Sequence, residues 1–366
     1  MRRSYQYRLY PKKGQSVLLL KWMSLCCELY NAAIEERREA YKKGISIKRF
    51  DQTYQLPETK KIREDLAIVN SQVLQDVLVR VDRAFQNFFR RVKNKEKPGY
   101  PRFKARDRYN SLTWPQNIGF RFVDNKVRLS GIGDLRIKMH RPIDGKAKTA
   151  TVKVVANKWF ISISCDDVHE REYPTAYNEI GIDMGLTSFA TLSNGEKVDN
   201  PRWFRKAEEN IAKCHRILSL KKRGSSRRYK TKQRLNTLYA KVTNQRKDFQ
   251  HKLAHRLVCE NKLIAVEALN TKKMIESGNH GLSKSIQDAA WGKFLMILSC
   301  KAEEAGRRFV KVCAKGTTST CNSCGKENKL SLSQRYYSCS CGVFMDRDIH
   351  ASYNILRLGR SLQGLS

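Results

Sequence analysis

Four cysteines and three carboxylates are the residues of this sequence whose types and spacing suit chemistry. Cys321 and Cys324 are separated by two residues, Cys339 and Cys341 by one, and fourteen residues lie between the pairs. Each pair brings two thiolates to one tetrahedral ion, and Gly325 and Gly342 permit a tight turn after each knuckle. Four thiolates leave no open position on the metal, so the expectation is a structural Zn²⁺. A redox dithiol is the alternative, and two close pairs argue against it. The gap between Cys339 and Cys341 is tighter than the usual two residues.

The acids differ in context. Asp183 sits in IGIDMGL and Glu267 in LIAVEALN, each a lone charge inside an apolar run of strand character. Asp348, in MDRDIHASYNIL, stands where a helix begins. A carboxylate in a buried strand is unfavourable without compensation. Two such strands and a helix start are able to converge their carboxylates on a pair of Mg²⁺ (or Mn²⁺) ions, which activate water and stabilise the leaving oxygen of a phosphodiester. Singly, each acid has a plainer reading: a paired core charge for Glu267, a helix N-cap for Asp348 or Asp346. The set of three, in a strongly basic chain, favours phosphodiester hydrolysis.

The composition supports that direction. Among 366 residues, 72 Lys and Arg face 35 Asp and Glu, a formal charge of +37. Such an excess repels itself unless a polyanion neutralises part of it, and a phosphate backbone does so with release of counterions. No stretch approaches the ~20 apolar residues of a membrane span, and the N-terminal MRRSYQYRLYPKK lacks the apolar core of a signal peptide. The expectation is a soluble, intracellular, nucleic-acid-binding protein with no membrane partner. Seven further cysteines (Cys26, Cys27, Cys165, Cys214, Cys259, Cys300 and Cys313) are scattered mostly in apolar runs, which fits a reducing compartment rather than a disulfide framework.

The elements that must position these residues are readable by period. Residues 3–10 alternate as a strand, and 15–43 turn helical before a loop at 44–57. Residues 71–92 form the clearest amphipathic helix, with Leu74, Val77, Leu78, Val81, Phe85, Phe88, Phe89 and Val92 on its apolar stripe. The following segment, 90–109, holds nine basic and two acidic residues interleaved with Tyr100, Phe103 and Tyr109. Cations for phosphates beside aromatic faces for bases suit a nucleic-acid contact, and Arg90, Arg91, Lys93, Arg102, Lys104 and Arg106 are the candidates. Short strands from 111 to about 168 indicate a β-barrel. From about 178 a strand pair is followed by alternating helices and strands, an α/β domain. Its long helices at 202–252 carry seventeen Lys and Arg against three acids, including Lys221, Lys222, Arg223, Arg227 and Arg228, further candidates for backbone contacts. A helix spans about 285–305, and a last one starts near Asp348.

In this order, IGIDMGLTSFATLSNG, VEALN, the four-cysteine knuckles and DRDIHASYNIL resemble the split RuvC-type nuclease domain of the TnpB proteins encoded by bacterial and archaeal insertion sequences. YRLYP, LYNAAIEERREAY, AFQNFFRRV, KPGYPRFK and SIQDAAWGKF extend the resemblance over nearly the whole chain. It implies an RNA-guided, metal-dependent DNA endonuclease, related to type V CRISPR effectors, that cuts beside a short adjacent motif. The implied fold is an RNase H-like RuvC domain with a zinc-ribbon insertion, an oligonucleotide-binding-like barrel and an inserted helical recognition lobe. On this sequence the implied segments are 1–12 (first barrel strand), 13–96 (recognition lobe), 97–178 (barrel), 179–316 and 344–366 (nuclease) and 317–343 (ribbon). The implied catalytic acids are Asp183, Glu267 and Asp348, the family pattern favouring Asp348 over Asp346. His350 and Ser352 depart from the family's usual Asn and Ala. Partners would be a guide RNA and duplex DNA, in a cytoplasmic and monomeric protein. The polar start of the amphipathic helix, Ser71, Gln72 and Gln75, is the expected reader of the adjacent motif, since Gln pairs with base edges. A DNA-joining transposase and a catalytically silent RNA-guided repressor are the alternatives; retention of all three acids disfavours the second.

Overall fold

The computed structural model describes residues 2–169, 172–328, 331 and 334–362, and the chain divides into two units, Met1–His169 and Glu170–Ser366. The expected segment ends at residues 1 and 363–366, residues 170 and 171, and residues 329, 330, 332 and 333 of the expected ribbon lie outside the described residues.

In the first unit, β1 (Arg3–Tyr10) buries Tyr5, Tyr7 and Leu9 at alternate positions, the mark of a strand with one face on a core. Helices α1 (Lys13–Lys42), α2 (Arg49–Tyr54), α3 (Leu56–Ile62), α4 (Glu64–Ala67) and α5 (Ser71–Lys93) follow. The expected loop at 44–57 is therefore partly helical; Pro57 lies in the first turn of α3, where its missing N–H is harmless. Strands β2 (Ser111–Trp114), β3 (Phe120–Val123), β4 (Lys126–Leu129), β5 (Gly133–Lys138), β6 (Lys146–Val155) and β7 (Lys158–Asp166) complete an antiparallel sheet in the order β2-β6-β7-β1-β5-β4-β3.

A flat sheet of this width would hold its edges about 29 Å apart. Only Pro115–Gly119 joins edge strand β2 to edge strand β3, a reach of about 20 Å at most. The sheet must therefore curl. The expected barrel is a curled sheet that keeps β2 and β3 as edges. Its inner residues share one core with α1 and α5, where Trp22 and Trp114 stack at 6.2 Å.

Two sequence expectations need correction here. By length and composition α1 is apolar enough to cross a membrane, but half of that stretch, including Leu19, Trp22, Met23 and Cys26, is already packed in the core. On α5 the apolar stripe is buried only as far as Phe85; Phe89 is 61% and Val92 49% exposed.

The second unit is built on β8 (Asn178–Met184), β9 (Ser188–Leu192) and β10 (Lys197–Asp199), then a hairpin of α6 (Trp203–Ser219) and α7 (Ser226–Glu260), then β11 (Asn261–Glu267). Next come α8 (Thr271–Ser277), α9 (His280–Ala289), α10 (Trp291–Glu304), β12 (Arg308–Val312), the small hairpin β13 (Tyr336–Ser338) and β14 (Phe344–Asp346), and α11 (Arg347–Ser361). The helix expected over 285–305 is broken at Ala290, whose backbone is left-handed (φ 54°). The main sheet has the order β10-β9-β8-β11-β12; β8, β11 and β12 are parallel, while β9 pairs antiparallel with both β8 and β10. One face, with Ile180 and Ile182, packs on α7 and α10 through Leu253, Leu257, Phe294 and Leu298. The other carries α11, with Ile355 against Ala265 and Val312.

Candidate active site and zinc centre

Strand register places the first two acids. The parallel pairs Ala265↔Gly181 and Val266↔Ile182 carry on to set Glu267 beside Asp183, one strand spacing (about 4.8 Å) apart and on the same face. That face is the one α11 covers. A Cβ on Gly181 would collide with the Ser352 carbonyl and stand 2.7 Å from the Leu356 backbone nitrogen, and one on Gly359 would stand 2.5 Å from the Ala265 Cβ. Gly181 and Asp183 are two apart on β8, while Ser352 and Asp348 are four apart on α11. Contact at Gly181–Ser352 thus sets Asp348, in the first helical turn, toward Asp183.

The electrostatics agree. Burial, then repulsion from Glu267 and Asp348, pushes the Asp183 carboxyl up to about 7. Burial also raises the Glu267 carboxyl, against the opposing effect of a 3.3 Å hydrogen bond donated by Thr317 Oγ1. Asp346 takes the capping role instead: its Oδ1 accepts from the Asp348 and Ile349 backbone N–H groups at 3.0 and 3.2 Å, and Lys197 pairs with Oδ2 at 2.7 Å. A cleft of about 420 Å³ opens here, lined by Asp183, Asp348, Thr318, Ser319, Arg335 and Arg347, among others. Three acidic oxygen donors, one of them with its carboxyl raised by burial and by the other two, fit hard divalent cations.

The four cysteine sulfurs all lie within 4.8 Å of one another, with Cys321–Cys341 and Cys324–Cys339 at 3.6 Å. A tetrahedral site with Zn–S of about 2.3 Å needs sulfurs about 3.8 Å apart, a spacing the two 3.6 Å pairs match closely, so the set fits zinc. Both knuckle turns form: Gly325 (φ 75°) and Gly342 (φ 94°) donate to the carbonyls of Cys321 and Cys339 at 3.1 and 3.0 Å. The Cys341 backbone N–H helps to lower the Cys339 thiol to about 6. One-residue spacing in the second pair is accommodated by the Cys339–Val343 turn, in which the Cys339 N–H donates to the Val343 carbonyl.

Residues that pattern reading missed tie this centre to the acids. The buried Asn354 amide donates to the Thr317 and Thr320 carbonyls at 2.9 and 2.7 Å, fastening the strand-to-knuckle loop onto α11. Buried His350 stacks on Tyr337 at 3.6 Å, and burial lowers its imidazole to about 4, so it is neutral and structural. Of these, the sequence marks His350 only as a departure from the family pattern, and Asn354 only as an amide in the run just after the DRD triplet.

The nucleic-acid candidates fall into two groups. Arg90, Arg91, Lys93 and Arg102 are exposed, as are Lys222, Arg223 and Arg227. Lys104 lies over the Tyr30 ring at 4.2 Å, and Arg106 pairs with Glu28 at 2.8 Å. Lys221 donates to Thr231, and Arg228 donates to the Leu218 and Lys221 carbonyls, so both close the α6–α7 turn. Ser71 accepts from Lys60, Gln72 donates to Gln116 at 2.8 Å, and Gln75 is exposed.

The fold is that of the Cas12f1 class of effectors. A Cas12f1–sgRNA–target DNA complex is similar to this chain with a TM-score of 0.58 and 13% identity, over 97% of this chain and 98% of that one. Family profiles match residues 162–278 ("Probable transposase", IS605 OrfB), 291–355 (Cas12f1-like, TNB domain) and 1–46 (helix-turn-helix domain). The last covers a strand and a single long helix here. A "Putative RNA-guided DNA endonuclease" of Streptomyces pristinaespiralis is 33% identical over 98% of this chain and 90% of that protein. The "Putative RNA-guided DNA endonuclease InsQ" of Escherichia coli (strain K12) is 27% identical over 98% and 92%. The chain belongs to the TnpB (IS605 OrfB) family.

Proposed function

We propose that the protein is an RNA-guided DNA endonuclease of an insertion sequence, and that its second unit contains a RuvC-like, RNase H-like hydrolytic site. The observation that carries the site is the convergence of Asp183, Glu267 and Asp348 from β8, β11 and α11 on one face, with the Asp183 carboxyl pushed up to about 7. In this reading the three acids hold Mg²⁺ or Mn²⁺, which when bound would supply Lewis-acid activation of water and of the leaving oxygen. Thr317 fixes the Glu267 carboxylate, and Asp346 caps α11 so that Asp348 is free to face the cleft. Arg335 and Arg347 line the same cleft and meet the phosphate charge of the strand being cut. Guide and target would pair by bases, with the protein reading backbone and shape. The curled sheet serves as the barrel, with β1 supplying its first strand (segment 1–12) and 97–178 the remaining strands, α1–α5 as the recognition lobe 13–96, and residues 317–343 as the ribbon.

The test is co-purification with RNA from the native flanking locus, then cleavage of matching plasmid DNA. Guide-matched cutting with Mg²⁺, lost with chelator and in Asp183→Ala, is the expected result. Intact DNA despite target binding would overturn it in favour of a repressor, and strand-transfer products in favour of a transposase.

A further inference from the structure

A cavity of about 530 Å³ in the first unit lies between α1, α5 and the segment that follows α5. Among the residues that line it are the aromatic Tyr30, Phe88 and Phe103 and the basic Arg91, Arg102, Lys104 and Arg108. Lys104 lies over the Tyr30 ring and Arg106 nearby is neutralised by Glu28, but Arg91, Arg102 and Arg108 have no carboxylate partner among the described residues. Aromatic residues and unpaired cations lining one space suit a ligand that is flat and apolar at one end and anionic at the other.

The wall is fixed before any ligand arrives. The Asn31 side chain accepts from the Lys104 backbone N–H at 2.8 Å and donates to its carbonyl at 2.9 Å, as a neighbouring strand would. Cys27 Sγ reaches the same carbonyl at 3.2 Å, and Pro101 and Tyr109 are buried on either side. Tyr100 adds an edge-on contact to Phe88 at 5.4 Å. On this rigid segment Phe103 is nonetheless 52% exposed. A large ring held in water by a fixed backbone means little alone, but beside three unpaired guanidiniums it is a stacking platform.

We propose that this cavity binds one unpaired nucleotide, its base against Phe88 and Phe103 and its flanking phosphates on Arg91, Arg102 and Arg108. The volume suits a single nucleotide, and a base stacked inside a duplex has no free face to offer. The proposal rests on the RNA-guided reading above for its source of single strands, which is either the guide RNA or an unwound strand of the target. A free small anion would leave the rings unused, and an apolar side chain would leave the cations unused.

The experiment uses full-length protein stripped of nucleic acid, with fluorescence anisotropy at raised salt so that general backbone attraction is screened. The probes are a mixed-sequence single-stranded RNA of about 12 nucleotides, an abasic oligomer of equal length and charge, and the corresponding DNA pair. Wild type binds the base-bearing probe more tightly than the abasic one. Phe103→Ala weakens the base-bearing probe about tenfold, the scale of one lost stack, and erases the difference; Phe103→Trp restores it. Arg102→Gln weakens both probes alike. Preference within the RNA pair assigns the nucleotide to the guide, and within the DNA pair to the target strand. No preference in either pair, or a preference unchanged in Phe103→Ala, overturns the proposal. Guided cutting by wild type is scored separately: if it occurs and the preference is absent, the pocket fails and the endonuclease reading stands. If wild type never cuts with its guide, that reading fails and the binding ratio still decides the pocket.

Discussion

At the scale of single residues, Asp183 is the strained member of the second unit. Its carboxyl titrates near 7 in the folded chain, against about 4 unfolded, because burial and two neighbouring acids disfavour the charge. The folded state therefore holds the proton more tightly. Stability contributed by the protonated form is full below about pH 4, declines as the pH rises from there, and is lost above about 7. In chelator, Asp183→Asn should raise the thermal midpoint at pH 8, by a gain on the order of a few kcal/mol that fades toward pH 4. A lowered midpoint at pH 8 would show that the three charges do not oppose one another. With Mg²⁺ the same variant should cut at least about a hundredfold more slowly, since charge stabilisation by bound metal supplies several kcal/mol. Asp183 and Glu267 were legible in the sequence because a lone charge in an apolar strand is too unfavourable to persist without a compensating role. The DRD triplet was not fully so. Helix starts shift by a residue or two, and only the hydrogen bonds show Asp346 capping while Asp348 faces Asp183. Thr317 was invisible, since its partner Glu267 is 50 residues away in sequence.

At the scale of elements, the site depends on how closely α11 approaches the sheet. Small residues meet along the seam: Gly181 against Ser352, and Gly359 against Ala265. Gly181→Ala forces a methyl group against backbone atoms of α11 that cannot rotate away. It should destabilise by about 2 kcal/mol or more and reduce cleavage further than stability alone explains, because Asp348 is carried outward. Differential scanning calorimetry and single-turnover cleavage would separate the two effects; a neutral variant would mean the seam has slack. The zinc ribbon bears on the same acids. One zinc per chain should be measured by atomic emission. Cys324→Ser should lose it and, through Thr317, lower cleavage even when Mg²⁺ is in excess. Periodicity marked β1, α1 and α5 well, because their apolar residues repeat at fixed intervals. It failed where tertiary context decides: Phe89 and Val92 continue the stripe of α5 but stay largely in solvent, and Ala290 breaks an otherwise continuous helical pattern.

At the scale of the whole molecule, composition announced a polyanion partner but not which cations meet it. Of the 72 Lys and Arg, some are occupied internally: Lys221 and Arg228 close the α6–α7 turn, Arg106 pairs with Glu28, and Lys104 sits on Tyr30. Spacing alone could not distinguish these from their neighbours, because a cation that binds phosphate and one that caps a turn look alike in a row of letters. Lys222, Arg223 and Arg227 are the exposed cations left at the hairpin tip. Each phosphate neutralised on a single strand contributes about 0.7 to the slope of log K against log salt. The triple change of these residues to Gln should therefore flatten the salt slope for guide RNA by about 2. It should weaken matched and scrambled RNA alike, since backbone contacts carry no sequence information. The fold should survive, because no hydrogen bond that closes the turn comes from these three side chains among the described residues. Titrations at several salt concentrations measure this directly. A slope unchanged by the triple variant would move the RNA backbone off the hairpin and leave the first unit's exposed Arg90, Arg91, Lys93 and Arg102 as its principal contacts.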